Sequence, residues 1–443
     1  MFSGLPSLFS RSITRVLAVV LVFFLLQQYL YFRKSVSVSQ DAFTAGAAQS
    51  CDSLKGIEDL FVTLRTGATE APKKLPVHFT TTLRCVPNYA LYSDYEENIE
   101  GHHVYNALDE VNPDIIATHP DFEYYRRLQE GGRDAFTAEE LAHWAAAKNT
   151  NGGRDSPGWR LDKWKFLPLA EKALLMKPDA KWYIFIESDT YILWQTLLEW
   201  LSHFDSSKPH YLGMQMQIGD VIFAYGGAGF AISNPALKKV VEHRKANLKF
   251  YDDFTGGHWA GDCVLGKALA DSGVNLMWSF PTLTGDMPAD MDFNTSFGGQ
   301  DKKPWCFYSA SYHHLPPSEY PKFAKFEQSW NQENAFRLRH RDIFRFYLLP
   351  RISSEHDGWD NLSDAEQSEV HSFDDCRETC ESQPDCLQFS FLGESCKTST
   401  AIRLGHKGFG DTKQVKSGWV VDRIKDFTER MDASCGNKDW ILP

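Results

Sequence analysis

The chain has 443 residues, 43% hydrophobic and 23% charged, a globular composition with room for two to three domains of about 150 residues. Its formal net charge is −12 and it has no dense Lys/Arg block, which argues against a nucleic-acid partner because an acidic surface repels phosphate backbones. Aromatic residues make up 14%, a content that suits a sugar-handling surface and a large aromatic core equally.

Residues 16–32 read VLAVVLVFFLLQQYLYF. The strictly apolar part, 16–26, is short for a membrane span of about 20 residues, and Tyr29 to Phe32 extend it. A cleaved signal peptide would need small residues after the apolar run. Here aromatics are followed by Arg33 and Lys34, so an uncleaved signal-anchor is expected. Arg11 and Arg15 precede it, which leaves the N-terminus cytosolic by the positive-inside rule, although Arg33 and Lys34 blunt that signal. The clustered cysteines and the sequons at Asn294 and Asn361 favour a lumenal remainder. The expected order is a cytosolic tail (1–15), a span (16–32) and a stem (33–74) that is rich in Ser, Ala, Val and Gly over 35–50.

From 75 to 350 strands and helices alternate. Residues 77–81 suit a strand and 104–111 a helix. Residues 164–176 have helical apolar spacing and stop before Pro178. Residues 182–186 form a short apolar run of strand length, and 193–204 a helix. Strands follow at 210–216 and 229–232, then a helix at 235–243 with Asn234 as N-cap. Such alternation predicts an α/β sheet covered on both faces, with ligands beyond the carboxyl ends of its strands.

Glu187-Ser188-Asp189 directly follows the 182–186 run. Strand alternation brings Glu187 and Asp189 to one face, where the pair can hold a divalent cation; an acidic surface turn is the plainer alternative. Small residues at Gly226-Gly227-Ala228-Gly229 allow close approach of a substrate or simply tight packing. Asp262, near the start of a helical segment, is a candidate base or a helix cap. His313 and His314 are adjacent, and on a strand only one of them would face a site. Glycosidase chemistry needs two carboxylates flanking the scissile bond, which this pattern does not demand.

Nine cysteines are present. Cys376, Cys380, Cys386 and Cys396 lie together without paired C-x-x-C spacing, so a disulfide-stapled module over 357–427 is favoured over a zinc site. The odd count leaves one thiol free or bridging to another chain, which would permit a homodimer. Residues 428–443 form an unassigned tail.

Taken in order, residues 75–320 resemble glycosyltransferase family 31, in its Fringe-like and core 1 β1,3-galactosyltransferase branch. The resemblance rests on Ile186 through Tyr191, on Gly226-Gly227-Ala228-Gly229, on Asp262 through Gly266, on Phe280-Pro281 and on Ser311-Tyr312-His313. It implies an α/β fold of GT-A (Rossmann-like) type and an inverting, Mn²⁺-dependent transferase held in the Golgi membrane as a single-pass type II protein. Asp189 and His313 would be metal ligands and Asp262 the general base. Glu187, Gly226, Gly227, Asp162 and Lys163 would lie near the nucleotide sugar. The family usually carries three Asp in the acidic motif, where this chain has Glu187, Ser188 and Asp189, so Glu187 would make a ribose or water-mediated contact. The implied partners are a UDP-sugar and a glycan or glycoprotein acceptor. Galactose transfer in β1,3 linkage to a GalNAc-type acceptor is expected; β1,3-N-acetylglucosamine transfer and a silent binding module are the alternatives. The C-terminal module resembles a PAN/apple domain, a small α+β fold, which implies the pairs Cys376–Cys396 and Cys380–Cys386.

Overall fold

The computed structural model describes residues 51–146, 156–298, 302–333, 337–436 and 439–443. The expected cytosolic tail and span, and the stem as far as residue 50, lie outside them. Among the described residues no helix is long and apolar enough to cross a membrane. The chain divides into a unit ending at Ser53 and a second running from Leu54 to Pro443; the second is described below.

Among the described residues, twelve strands precede the C-terminal module: β1 (Leu60–Arg65), β2 (Tyr89–Ser93), β3 (Glu97–Ile99), β4 (His102–Asn106), β5 (Trp182–Glu187), β6 (Tyr191–Ile192), β7 (Tyr211–Gly213), β8 (Gln215–Ile218), β9 (Val221–Ala224), β10 (Phe230–Ser233), β11 (Leu276–Trp278) and β12 (Ser311–Tyr312). Eight of them form one mixed, mostly parallel sheet in the order β11-β7-β10-β5-β1-β2-β4-β3. β10 runs antiparallel to both its neighbours and β3 closes one edge antiparallel to β4. β6 pairs with β12, and β8 with β9, outside that sheet.

The central strands are buried along nearly their whole length, as parallel strands covered on both faces require. Alternation along β5 sends Tyr183 and Phe185 into one core and Trp182, Ile184 and Ile186 into the other. Helices Phe166–Met176, Asn234–Ala246 and Gly261–Asp271 contribute to the first core, and Trp194–Leu201 to the second. This layered α/β architecture is consistent with a GT-A fold.

The helices expected at 164–176, 193–204 and 235–243 and the strands at 182–186 and 229–232 are present with shifted ends, whereas the single strand expected at 210–216 is broken at Met214 into β7, in the main sheet, and β8, which pairs with β9 outside it. Other expectations are corrected. Residues 77–81 fall on a short helix, Pro76–Thr80; β-branched and aromatic residues suggest a strand, but Pro76 at its first position favours a helical start. Residues 104–111 hold the end of β4 and a turn, and the helix-like spacing of Val104, Ala107, Leu108 and Val111 reflects burial of all four. Asn234 is not the N-cap. Ser233 takes that position, while the Asn234 amide donates to the carbonyls of Pro178 and Ala180. The stem does not extend to 74, because β1 lies in the middle of the sheet and the compact unit begins at Leu54.

The C-terminal module has a five-stranded antiparallel sheet, comprising Glu355–Asp357, Ala365–Gln367, Gln388–Leu392, Ser395–Ser399 and Lys416–Trp419, with helix Phe373–Ser382 packed on it. Cys376–Cys396 and Cys380–Cys386 are both bonded. The module is not insulated from the first domain. Trp419, Ile424, Phe427 and Met431 share one core with Trp305, Phe323 and Phe344. The unassigned tail belongs to this seam: Cys435 is bonded to Cys306, and the Trp200 indole donates to the carbonyl of Ile441 at 2.8 Å.

Cys51 and Cys85 are each disulfide-bonded, which leaves Cys263 as the free thiol. It is fully buried, so the expected route to a homodimer through an unpaired cysteine is closed in the folded protein. The sequon at Asn361 is corrected likewise. Its side chain is fully buried, donating to the carbonyls of Phe389 and Gly418 and accepting from Ser363. No glycan fits there once the chain has folded. Asn294 is partly exposed, with its side-chain oxygen held by Lys303 at 2.6 Å.

Candidate active site

β1 and β5 are parallel neighbours, and Arg65 and Glu187 are register partners at their carboxyl ends. That register produces an ion pair, Arg65 Nη2 to Glu187 Oε1 at 2.5 Å. Arg65 also reaches Asp162 at 3.2 Å and lies over the Phe166 ring. Burial opposes the charge on Arg65, but Asp162, Glu187 and Asp262 outweigh it and raise its pKa.

The next two residues turn the acidic motif. Ser188 points inward, with its hydroxyl 3.0 Å from that of Thr66 and its carbonyl bonded to His78. Glu187 and Asp189 both face the other side, towards His313, although β5 ends at Glu187 and Asp189 lies in the turn beyond it. Asp189 Oδ1 lies 3.1 Å from His313 Nε2, and Glu187 Oε2 lies 3.7 Å from the same nitrogen. Lys74 Nζ approaches Asp189 Oδ2 at 3.3 Å.

Burial would lower the His313 pKa, but hydrogen bonding and charge from Asp189 and Glu187 overcome it and raise the value to about 9. Burial would raise that of Asp189, yet His313 and Lys74 hold it well below the usual carboxylate range. Glu187 is lowered in the same way, with Arg65 foremost against its burial.

His313 is 3% exposed. Its backbone N–H donates to Asp286 O, and its ring meets the Tyr225 hydroxyl at 3.4 Å. The space for this ring is made by Gly227, where an added Cβ would fall 2.1 Å from the imidazole. At Gly226 an added Cβ would lie 3.0 Å from Glu187 Oε1. Tight packing around catalytic-looking side chains thus accounts for the glycine pair.

The backbone N–H of Gly226 donates to Asp262 Oδ2 at 3.0 Å. Asp262 lies in the first turn of helix Gly261–Asp271, whose N-cap is Ala260. Its other oxygen accepts from the Cys263 N–H. Although both oxygens accept backbone N–H groups, burial dominates and raises its pKa to about 6. The Gly226-Gly227 strip therefore runs from the Asp262 carboxylate to the Asp189–His313 pair.

Asp189, His313 and His314 each offer a donor atom, all within 4.8 Å of one another. One carboxylate and imidazole nitrogens are a suitable donor set for a first-row divalent cation, so the residues fit such an ion. The expectation that His314 points away is corrected. β12 ends at Tyr312, so strand alternation does not extend to His314, which has a φ of +59°. Its ring centroid lies 3.8 Å from that of His313.

A model of Fringe-like proteins matches residues 56–280, just over half of the chain. The chain belongs to the Fringe-like family.

This family is one of glycosyltransferases of the family 31 type. The Fringe-like match covers Arg65, Lys74, Glu187, Asp189, Gly226, Gly227 and Asp262, and stops short of His313, His314 and the C-terminal module. Of the residues expected near the nucleotide, Asp162 joins the site through Arg65 and also meets Lys165 at 3.4 Å. Lys163 does not join that cluster. Its buried ammonium pairs with Asp121 at 2.8 Å and donates to the carbonyl of His258. Arg65, Lys74 and His314 were not expected from sequence. Recognising 60–65 as a strand would have flagged Arg65 by its carboxyl-end position, whereas Lys74 and His314 carry no comparable local signal.

Proposed function

We propose that this protein transfers a sugar from a UDP-sugar to a glycan acceptor hydroxyl with inversion, using Mn²⁺ held by Asp189 and His313. Galactose placed in β1,3 linkage on a GalNAc-type acceptor is the favoured chemistry. The observation that carries this proposal is the glycine strip that seats the His313 ring and orders Asp262 at its other end. A divalent cation at Asp189 and His313 would supply Lewis acidity towards a diphosphate leaving group. Lys74, beside Asp189, adds positive charge on the same side. Arg65 fixes Glu187 and so keeps that carboxylate from swinging away from the donor region.

Asp262 takes the proton of the acceptor hydroxyl as that oxygen attacks the anomeric carbon. A carboxylate with its pKa near 6 is ionised at neutral pH and a stronger base than an ordinary aspartate. A single displacement gives a β-linkage from an α-linked donor. We further propose a single-pass type II anchor in the Golgi membrane and a PAN/apple-like identity for residues 357–427, supported by the bonded cysteines, which belong to oxidising compartments.

The test is to incubate the full chain with Mn²⁺, an aryl-GalNAc acceptor and either UDP-galactose or UDP-N-acetylglucosamine, and to analyse the product linkage. A β1,3-galactosylated product that disappears with Asp189→Asn is expected. Mn²⁺-independent donor binding, or unchanged transfer by Asp189→Asn, would overturn the proposal.

A further inference from the structure

His314 carries three features that packing alone does not demand. It is a non-glycine residue in the left-handed region, at φ +59°, where an L side chain is disfavoured by about 1–2 kcal/mol. Its side chain is exposed, and its imidazole takes no hydrogen bond among the described residues. Yet its ring is set 3.8 Å from that of His313, with a donor nitrogen within 4.8 Å of those of Asp189 and His313. Strained backbone that aims a side chain into a cluster of ligand-type groups is a mark of functional sites.

Resting on the metal centre proposed above, we infer that His314 is a third protein ligand, so that the cation is held by two imidazoles and one carboxylate. Two donors bound at about 2.1 Å to one ion are at most about 4.2 Å apart. The observed spread exceeds that by no more than about 0.6 Å, within reach of a χ rotation of an exposed ring. Asp189 and His313, at 3.1 Å, already sit at the separation of adjacent ligands.

The donor set has a consequence for the metal. Each imidazole favours metals later in the first row over oxygen-seeking ones. A centre with two imidazoles therefore binds Co²⁺ and Zn²⁺ more tightly than Mn²⁺, and binds Mg²⁺ weakly. Loss of His314 narrows those differences.

The experiment is direct metal binding, without donor or acceptor. The full chain is titrated with Mn²⁺ and followed by electron paramagnetic resonance, in parallel with His314→Asn, His314→Gly and Asp189→Asn. Asn and Gly both tolerate the left-handed backbone, so folding is retained. Mn²⁺ affinity should fall at least tenfold in both His314 variants. Added imidazole should restore binding in His314→Gly, and pulsed measurements should count two ¹⁴N-coupled rings in the natural protein and one in His314→Asn. If both His314 variants bind Mn²⁺ as tightly as the natural protein while Asp189→Asn does not, His314 only packs on His313 and the inference is wrong. If Asp189→Asn also binds normally, the metal centre itself fails and His314 falls with it.

Discussion

Around His313, the side chains of Arg65, Glu187 and Asp189 are held by charge, whereas around Cys376 four sulfurs hold the chain with none. The charged cluster is exchangeable: a proton on His313 balances Asp189 and Glu187, and a divalent cation could take the place of that proton. The sulfur cluster is fixed, because Cys376–Cys396 and Cys380–Cys386 have no second state short of reduction. The two also differ in what backbone they need. The first depends on a glycine pair that leaves room for rings and carboxylates, and the second on a helix and sheet close enough for sulfurs to meet. Order that must change during a reaction is built from titratable groups, and order that must persist is built from covalent bonds.

The comparison breaks most sharply at Asp262. Asp262→Asn should lower transfer by about 10²–10⁴-fold with Mn²⁺ and donor binding nearly unchanged, measured as turnover beside calorimetric donor affinity. Wild-type turnover in that variant would make Asp262 a structural acceptor for the Gly226 and Cys263 N–H groups and nothing more. On the covalent side, Cys435→Ser opens a loop of 129 residues and should cost about 2–5 kcal/mol of stability. Chemical denaturation measures this, and a stability equal to the natural protein's would show that the shared aromatic core alone holds the seam.

Gly227→Ala tests whether the exchangeable cluster is as tightly packed as the fixed one. An added methyl overlaps the His313 ring, so about 1–3 kcal/mol should be lost and Mn²⁺ affinity should fall with it. An unaltered melting temperature and metal affinity would mean that the ring moves aside freely.

The remaining expectation uses pH. His313 has its pKa raised to about 9 in the cation-free protein, against about 6.5 unfolded. A raised folded value means that its stabilisation is complete below pH 6.5 and is lost as pH rises through 9. Thermal melts of cation-free protein should therefore decline across that window, and added Mn²⁺ should flatten the decline, because the ligand is the neutral imidazole. Asp262, raised to about 6, should give transfer an acidic limb near that value. A melt profile indifferent to both pH and Mn²⁺ would remove the exchange of proton for cation.

Much of the charged site was visible in the sequence because its residues follow strands. Glu187 and Asp189 sit at the carboxyl end of an unbroken apolar run, although Ser188 and Asp189 lie in the turn beyond it, where period two no longer applies. The position of His314 was not visible, since alternation cannot be applied beyond the end of a two-residue strand. Arg65 was missed because β1 was assigned to a stem. The resemblance implied the module's two inner disulfides, but neither it nor local spacing pointed to Cys306–Cys435, which joins residues far apart in sequence. Asn361 matched a sequon as a string, and only the burial of its amide between two strands reveals that it serves the fold.

The bond between Cys306 and Cys435 also has a dimension in time. At a synthesis rate of about 5–20 residues per second, Cys306 waits roughly 6–26 s for a partner 129 residues behind it. During that interval Cys376, Cys380, Cys386 and Cys396 all emerge first and compete for it. Helix Phe373–Ser382 carries two of those cysteines on its buried side, so early formation of the module would remove the competitors before Cys435 arrives. The order in which the two halves mature is thereby set by where the last cysteine lies.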